Sequence, residues 1–116
     1  MGGRGSTGAK GALGGESWSL AKVGRLQSGN EPGLTVAQEY HRKEILGQYS
    51  HNDHERARQA GFDSPRAYQA DITARIAREG QLNPAQHSHG TLDEGYHRYA
   101  AARQLRQRTM KIRKIG

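Results

Sequence analysis

Ten of the sixteen glycines fall within the first 33 residues, and that crowding limits what the chain can fold into more than any other feature. Glycine loses more backbone entropy on ordering than any other residue, and this stretch has few large apolar side chains to offset the cost. Residues 1–33 therefore read as a flexible Gly/Ser-rich arm, and residues 34–116 as a single domain. Within the arm only SWSLAKVGRL has the make-up of a short strand or a docking segment. Its Trp18, the sole tryptophan, suits either an arm that folds onto a protein partner or a side chain tucked back onto its own domain.

Beyond residue 33 the helix signals are explicit. Thr35 followed by Gln38 has the pattern of a capping box, and Gly47 supplies a stop. Val36 and Tyr40 share a face of that helix, while Ile45 and Leu46 are offset from it. A short polar helix is expected from about Asn52 to Ala60, ahead of Gly61. The next helix is capped by Asp63 or Ser64, has Pro65 at its first position and closes at Gly80. In it Tyr68, Ile72 and Ile76 recur at four-residue spacing, which predicts a core stripe. Residues 81–90 read as a short extended segment and turn, and a fourth helix is expected from about Gly95 to Gln107. In TMKIRKI, Met110 and Ile112 have strand spacing and Ile115 falls out of step, as in an imperfect edge strand. This order predicts a small α+β fold, with several helices around a minor mixed sheet.

Charge narrows the choice of partners. Eighteen Lys and Arg against eleven Asp and Glu give a formal charge of +7, which favours an anionic partner. From Gly95 onward the chain has seven basic residues and no acid. Arg103, Arg106, Arg108, Lys111, Arg113 and Lys114 form either a solubilising tail or a nucleic-acid-binding face. With no cysteine, disulfides, thiolate zinc sites and cysteine nucleophiles are excluded. No apolar run approaches the ~20 residues that span a bilayer, and the N-terminus lacks the apolar core of a signal peptide. The expectation is a soluble cytoplasmic protein without a membrane partner.

The stretch TLDEGYHRYAAARQL, residues 91–105, carries the most chemistry. A helix start leaves backbone N–H groups unpaired and bears partial positive charge, so it attracts phosphate or carboxylate. Gly95 would let an anion approach the backbone, and His97 and Arg98 would add donors beside it. The plainer alternative, and the more ordinary one on these residues alone, is a capped helix end with a solvated His97 and Arg98.

The order of features from Tyr68 to about Ile115 is similar to the ParB and sulfiredoxin superfamily, whose members are often described as ParB-like nuclease domains. YQADITARIAREG resembles the helix that precedes the superfamily's strand, QLNPAQ the Pro-containing start of that strand, and TLDEGYHRYAAARQL the signature turn and helix. Leu92, Gly95, His97, Arg98, Ala101 and Ala102 fall where that motif expects them, and Tyr96 stands where a His or Cys is more usual. The resemblance implies a minimal ParB/sulfiredoxin-like fold. It also implies a pocket in which Gly95, His97 and Arg98 cradle the phosphates of CTP or ATP with Mg²⁺. Glu94 and His97 become the candidate catalytic residues, with Asp93 as second choice to Glu94 for a metal contact or general base. The chain ends soon after the motif, so the further domains of chromosome-partitioning relatives, and sequence-specific centromere binding, are not expected.

His51 with His54, and His87 with His89, place imidazoles in pairs that could join Asp53, Asp93, Glu94 and His97 around a divalent metal in a nuclease-like site. The plainer reading is surface polar residues and no metal site. Tyr96 and Tyr99 could stack on a base, or Tyr99 could be buried. Two functions follow. The first is a nucleotide- or nucleic-acid-phosphate-binding domain with NTP or phosphodiester hydrolysis. The second is a non-enzymatic DNA- or protein-binding assembly protein that uses the basic C-terminus and the N-terminal arm. MGGRGS is similar to the starts of some phage head-region proteins, and a phage origin would make the protein virion-associated.

Overall fold

Five short strands, most of them polar in sequence, build the sheet on which the rest of the chain is arranged. The computed structural model describes residues 14–116. Strands β1 (Glu16–Ser19), β2 (Gln27–Ser28), β3 (Ala85–Ser88), β4 (Thr91–Glu94) and β5 (Thr109–Lys114) lie in the order β1-β5-β3-β4-β2. The β1/β5 and β3/β4 pairs are antiparallel, while β3/β5 and β2/β4 are parallel, so the sheet is mixed. Met110 and Ile112 of β5, Ala85 of β3 and Leu92 of β4 supply its buried face.

The helices begin where the capping chemistry dictates. Helix α1 (Leu20–Gly24) is capped by Ser19, whose hydroxyl accepts from Lys22 N. Helix α2 (Val36–Tyr40) starts at the Thr35/Gln38 capping box and continues as a π-helical turn over His41–Ile45. Helix α3 (His51–Gln59) has a second capping box, Ser50 with Asp53. Helix α4 (Pro65–Glu79) is capped by Ser64 and closed by Gly80, and α5 (Tyr96–Gln104) follows Gly95. Helix α5 contacts α4, α1 and β5. Ala100, Ala101 and Ala102 are at most 2 % exposed, and a helix of this thin cross-section can approach its neighbours closely. The result is an α+β domain with five helices and a mixed five-stranded sheet among the described residues.

The structure corrects several expectations. The boundary at residue 33 fails, because residues 16–28, assigned to the arm, form β1, α1 and β2. Residues 1–13 of the expected arm lie outside the described residues. Trp18 packs back onto the domain, with its ring 4.5 Å from that of His87 and Lys22 Nζ 3.9 Å above it. β5 is an interior strand between β1 and β3 rather than an edge, because β1 covers its free side. Tyr68, Ile72 and Ile76 are half-buried rather than core, since the buried polar side chain of Gln69 takes the inward position on α4. By contrast Val36 and Tyr40 are buried, and the offset Ile45 and Leu46 are exposed.

One device compensates for Pro84, which has no N–H to extend β3 backward along β5. The Gln81 side-chain amide takes that place, accepting from Lys111 N at 2.8 Å and donating to Lys111 O at 2.8 Å.

Candidate functional site

Strand β4 runs into α5 through a single residue, Gly95, at φ +123°. A Cβ there would overlap the Cβ of Ala85 and come within 3.0 Å of its Cα. Glycine is thus required twice, by the left-handed backbone and by the close approach of β3. The room left by the missing side chain is taken by Ala85, whereas the sequence suggested room for an anion. Glycine also brings no capping side chain, so no side chain hydrogen-bonds the start of α5.

A cleft of about 440 Å³ lies at this helix start, bordered by Gly95, His97 and Arg98 together with Arg56 from α3 and Tyr68 and Ile72 from α4. Asp93 and Glu94 border it from β4, and Asn30 from the loop after β2. The expected phosphate-binding and catalytic residues are therefore all on one cleft. Glu94 is largely exposed and 3.7 Å from Arg98 Nη1, a loose pair that leaves the guanidinium free to turn toward a ligand. Asp93 accepts a hydrogen bond from Ser88 Oγ, which ties it to β3.

His97 is held by Gln69, a contact that no spacing in the sequence announces. Gln69 Nε2 donates to the His97 carbonyl at 3.0 Å, so Gln69 Oε1 is the atom that meets His97 Nδ1 at 2.6 Å. An amide oxygen can only accept, so Nδ1 carries the proton and Nε2 keeps the lone pair. Burial, aided by the positive charges of Arg56 and Lys43, pushes the imidazole down to about 4, so it is neutral at pH 7. The ring also packs against Tyr68, at 5.1 Å between centroids.

Behind the cleft lies a charged cluster that the sequence reading missed. Lys43 is 2 % exposed and its Nζ meets Glu39 at 2.6 Å, Asp53 at 3.1 Å and Glu31 at 3.5 Å. Burial alone would lower the Lys43 ammonium, but the hydrogen bond and charge of Glu39, with those of Asp53, raise it. Burial also acts to raise the Asp53 carboxyl, and it is outweighed by the Ser50 backbone hydrogen bond and Lys43, so the net shift is downward. Glu39 accepts a further hydrogen bond from Ser28 Oγ at 2.7 Å. Glu44 is raised by burial and accepts from the hydroxyls of Tyr49 and Tyr96, each at 3.1 Å. The available signal was the spacing of Val36, Glu39, Tyr40, Lys43 and Glu44, a helical stripe hidden because its members are charged. A small inner pocket beside this cluster shares Arg56, Tyr68, Tyr96 and His97 with the cleft.

The tyrosines and outlying histidines fall elsewhere than a base-stacking or metal site requires. Tyr96 is 6 % exposed and its hydroxyl points inward to Glu44, so it offers no open platform for a base. Burial, with the negative charge of Glu44 next, raises its phenol far above the usual range. Tyr99 is buried. His51 and His54 stand exposed on α3, His87 packs on Trp18, and His89 sits exposed in the β3–β4 turn at φ +51°. No group of three or more His, Cys, Asp or Glu that could hold a metal ion occurs among the described residues.

The basic C-terminal residues do not join the cleft. Arg103 lies over the Tyr40 ring at 4.4 Å and donates to the Tyr99 hydroxyl. Arg106 is in the turn after α5 at φ +59°, and Arg108 precedes β5. On β5, Lys111 is half-buried, and Arg113 and Lys114 are exposed. No helix among the described residues is long and apolar enough to cross a membrane. Comparison with known protein families, with curated proteins and with solved structures finds no match to this chain.

Proposed function

We propose that the cleft at the start of α5 binds the phosphates of a nucleotide. The observation that carries this reading is the uncapped start of α5 facing a cleft that Arg98 and Arg56 border. Unpaired N–H groups and the helix dipole favour an anion there, and a guanidinium can grip a phosphate with two parallel hydrogen bonds. Tyr68 and Ile72 give the cleft an apolar wall, and its volume falls in the roughly 300–1,000 Å³ range of small-ligand sites. The resemblance to ParB-like domains favours CTP or ATP, and Glu94, exposed at the edge of the cleft, would be the residue to hold its Mg²⁺. His97, neutral and with Nε2 as its acceptor, serves as a general base in hydrolysis rather than as a cationic phosphate donor. Calorimetry with the four ribonucleoside triphosphates and Mg²⁺ tests the reading. Wild type should bind at least one, the double variant His97→Ala, Arg98→Ala should bind none, and absence of binding by wild type would refute it.

A second reading, an assembly protein that holds DNA or a protein partner, draws on the exposed Arg106, Arg108, Arg113 and Lys114. None of them has a carboxylate within ion-pair distance among the described residues. It predicts sequence-blind DNA binding that weakens steeply with salt and survives loss of His97. A flat salt response would instead favour a protein partner.

A further inference from the structure

A second groove, of about 420 Å³, shares no lining residue with the cleft and lies between α1 and α5. Its walls include Leu20, Gly24, Arg25, Ala37, Tyr99 and Arg103. Tyr99 is 1 % exposed, and its hydroxyl accepts from Arg103 Nη1 at 3.1 Å. Among the described residues that hydroxyl has no acceptor for its own proton. A buried donor left unpaired is destabilising, so the position calls for an acceptor from outside the chain.

Gly24 lets the Tyr99 hydroxyl pack closely against α1 at the edge of the groove. A Cβ at this position would lie 2.8 Å from the Tyr99 hydroxyl and 3.1 Å from Ala37 Cβ. Gly24 sits in α1 outside the left-handed region, so its backbone does not require glycine; the close approach of the Tyr99 hydroxyl does. Two guanidiniums, Arg25 and Arg103, line the groove beside it. Arg103 is fixed over the Tyr40 ring, and neither it nor Arg25 pairs with a carboxylate among the described residues. Hydroxyl and guanidiniums are all donors, which suits an oxyanion. Leu20 and Ala37 add an apolar wall that a bare ion would not use.

We propose that this groove is a binding site for a small organic ligand carrying a phosphate or carboxylate group. The Tyr99 hydroxyl and Arg103 grip the oxyanion, Arg25 stands at the rim, and the organic body lies on Leu20 and Ala37. The groove is independent of the nucleotide reading, because its residues face away from His97 and Arg98 on α5.

The test is a backbone-amide NMR titration of the full chain with phenyl phosphate, benzoate and inorganic phosphate. At least one of the two aromatic anions should shift the amides of Gly24 and Tyr99 to saturation. Tyr99→Phe keeps the ring and removes only the hydroxyl, and it should weaken that binding about tenfold or more. Arg103→Gln should do the same, whereas the double variant His97→Ala, Arg98→Ala should bind like wild type. If neither aromatic anion moves these amides, or if a folded Tyr99→Phe binds as tightly as wild type, the proposal is overturned. Inorganic phosphate that binds as tightly as phenyl phosphate would overturn the organic-body assignment.

Discussion

His97 is neutral because burial leaves its charged form poorly solvated and Arg56 and Lys43 repel that form, and this has a consequence for stability. The folded-state pKa, about 4, lies below the ordinary histidine value, so between these values the unfolded chain binds the extra proton and the folded chain does not. Stability should therefore fall as pH drops from about 6.5 to about 4, by roughly 3 kcal/mol from this group, and then level off. Urea melts of wild type and His97→Gln over that window check it, and parallel pH curves for the two proteins would contradict it. Lys43 makes a second case at the same scale. Lys43→Met would leave Glu39 and Asp53 buried without their cation, and should cost roughly 3–5 kcal/mol in a denaturant melt. A cost under about 1 kcal/mol would mean that the carboxylates reach water and the cluster is not truly buried.

At the scale of elements, the glycines at the two ends of the motif differ in kind. Gly80 has φ +80° with open space where a Cβ would sit, while Gly95 has φ +123° and faces Ala85. Gly80, at φ +80° and ψ 175°, lies in a region essentially confined to glycine, so Gly80→Ala should cost roughly 1–3 kcal/mol from backbone strain alone. Gly95→Ala should cost about 3 kcal/mol or more, because strain is joined by overlap with β3. Thermal melts of the two variants rank them, and an equal loss would deny that β3 presses on the start of α5. These helix ends were legible in the sequence because each rests on local chemistry: Thr35 with Gln38, Ser64 before Pro65, and Gly80. Of the sheet, β5 was legible through Met110 and Ile112, and β2, β3 and β4 were not. AQHS and TLDE have no apolar alternation to read, β2 is only Gln27–Ser28, and their pairing depends on partners distant in the chain. Leu105 and Arg106 end α5 earlier than the run of helix-forming residues suggested.

For the whole molecule, the fold gathers onto one cleft residues that the sequence keeps apart. Gly95, His97 and Arg98 were legible as a group because they sit on one turn. Arg56, Tyr68 and Gln69 were not, since only the packing of α3 and α4 beside α5 brings them to His97. Charged Glu39, Lys43 and Glu44 were hidden for another reason, that charge ordinarily marks a solvated face and here marks a buried one. The central claim is that phosphate is held by the start of α5, and backbone-amide NMR during titration with CTP or ATP and Mg²⁺ tests it most directly. The largest saturable shifts should fall on the amides of Tyr96, His97 and Arg98. Saturable binding with those amides unmoved, or no binding of either nucleotide, would contradict it.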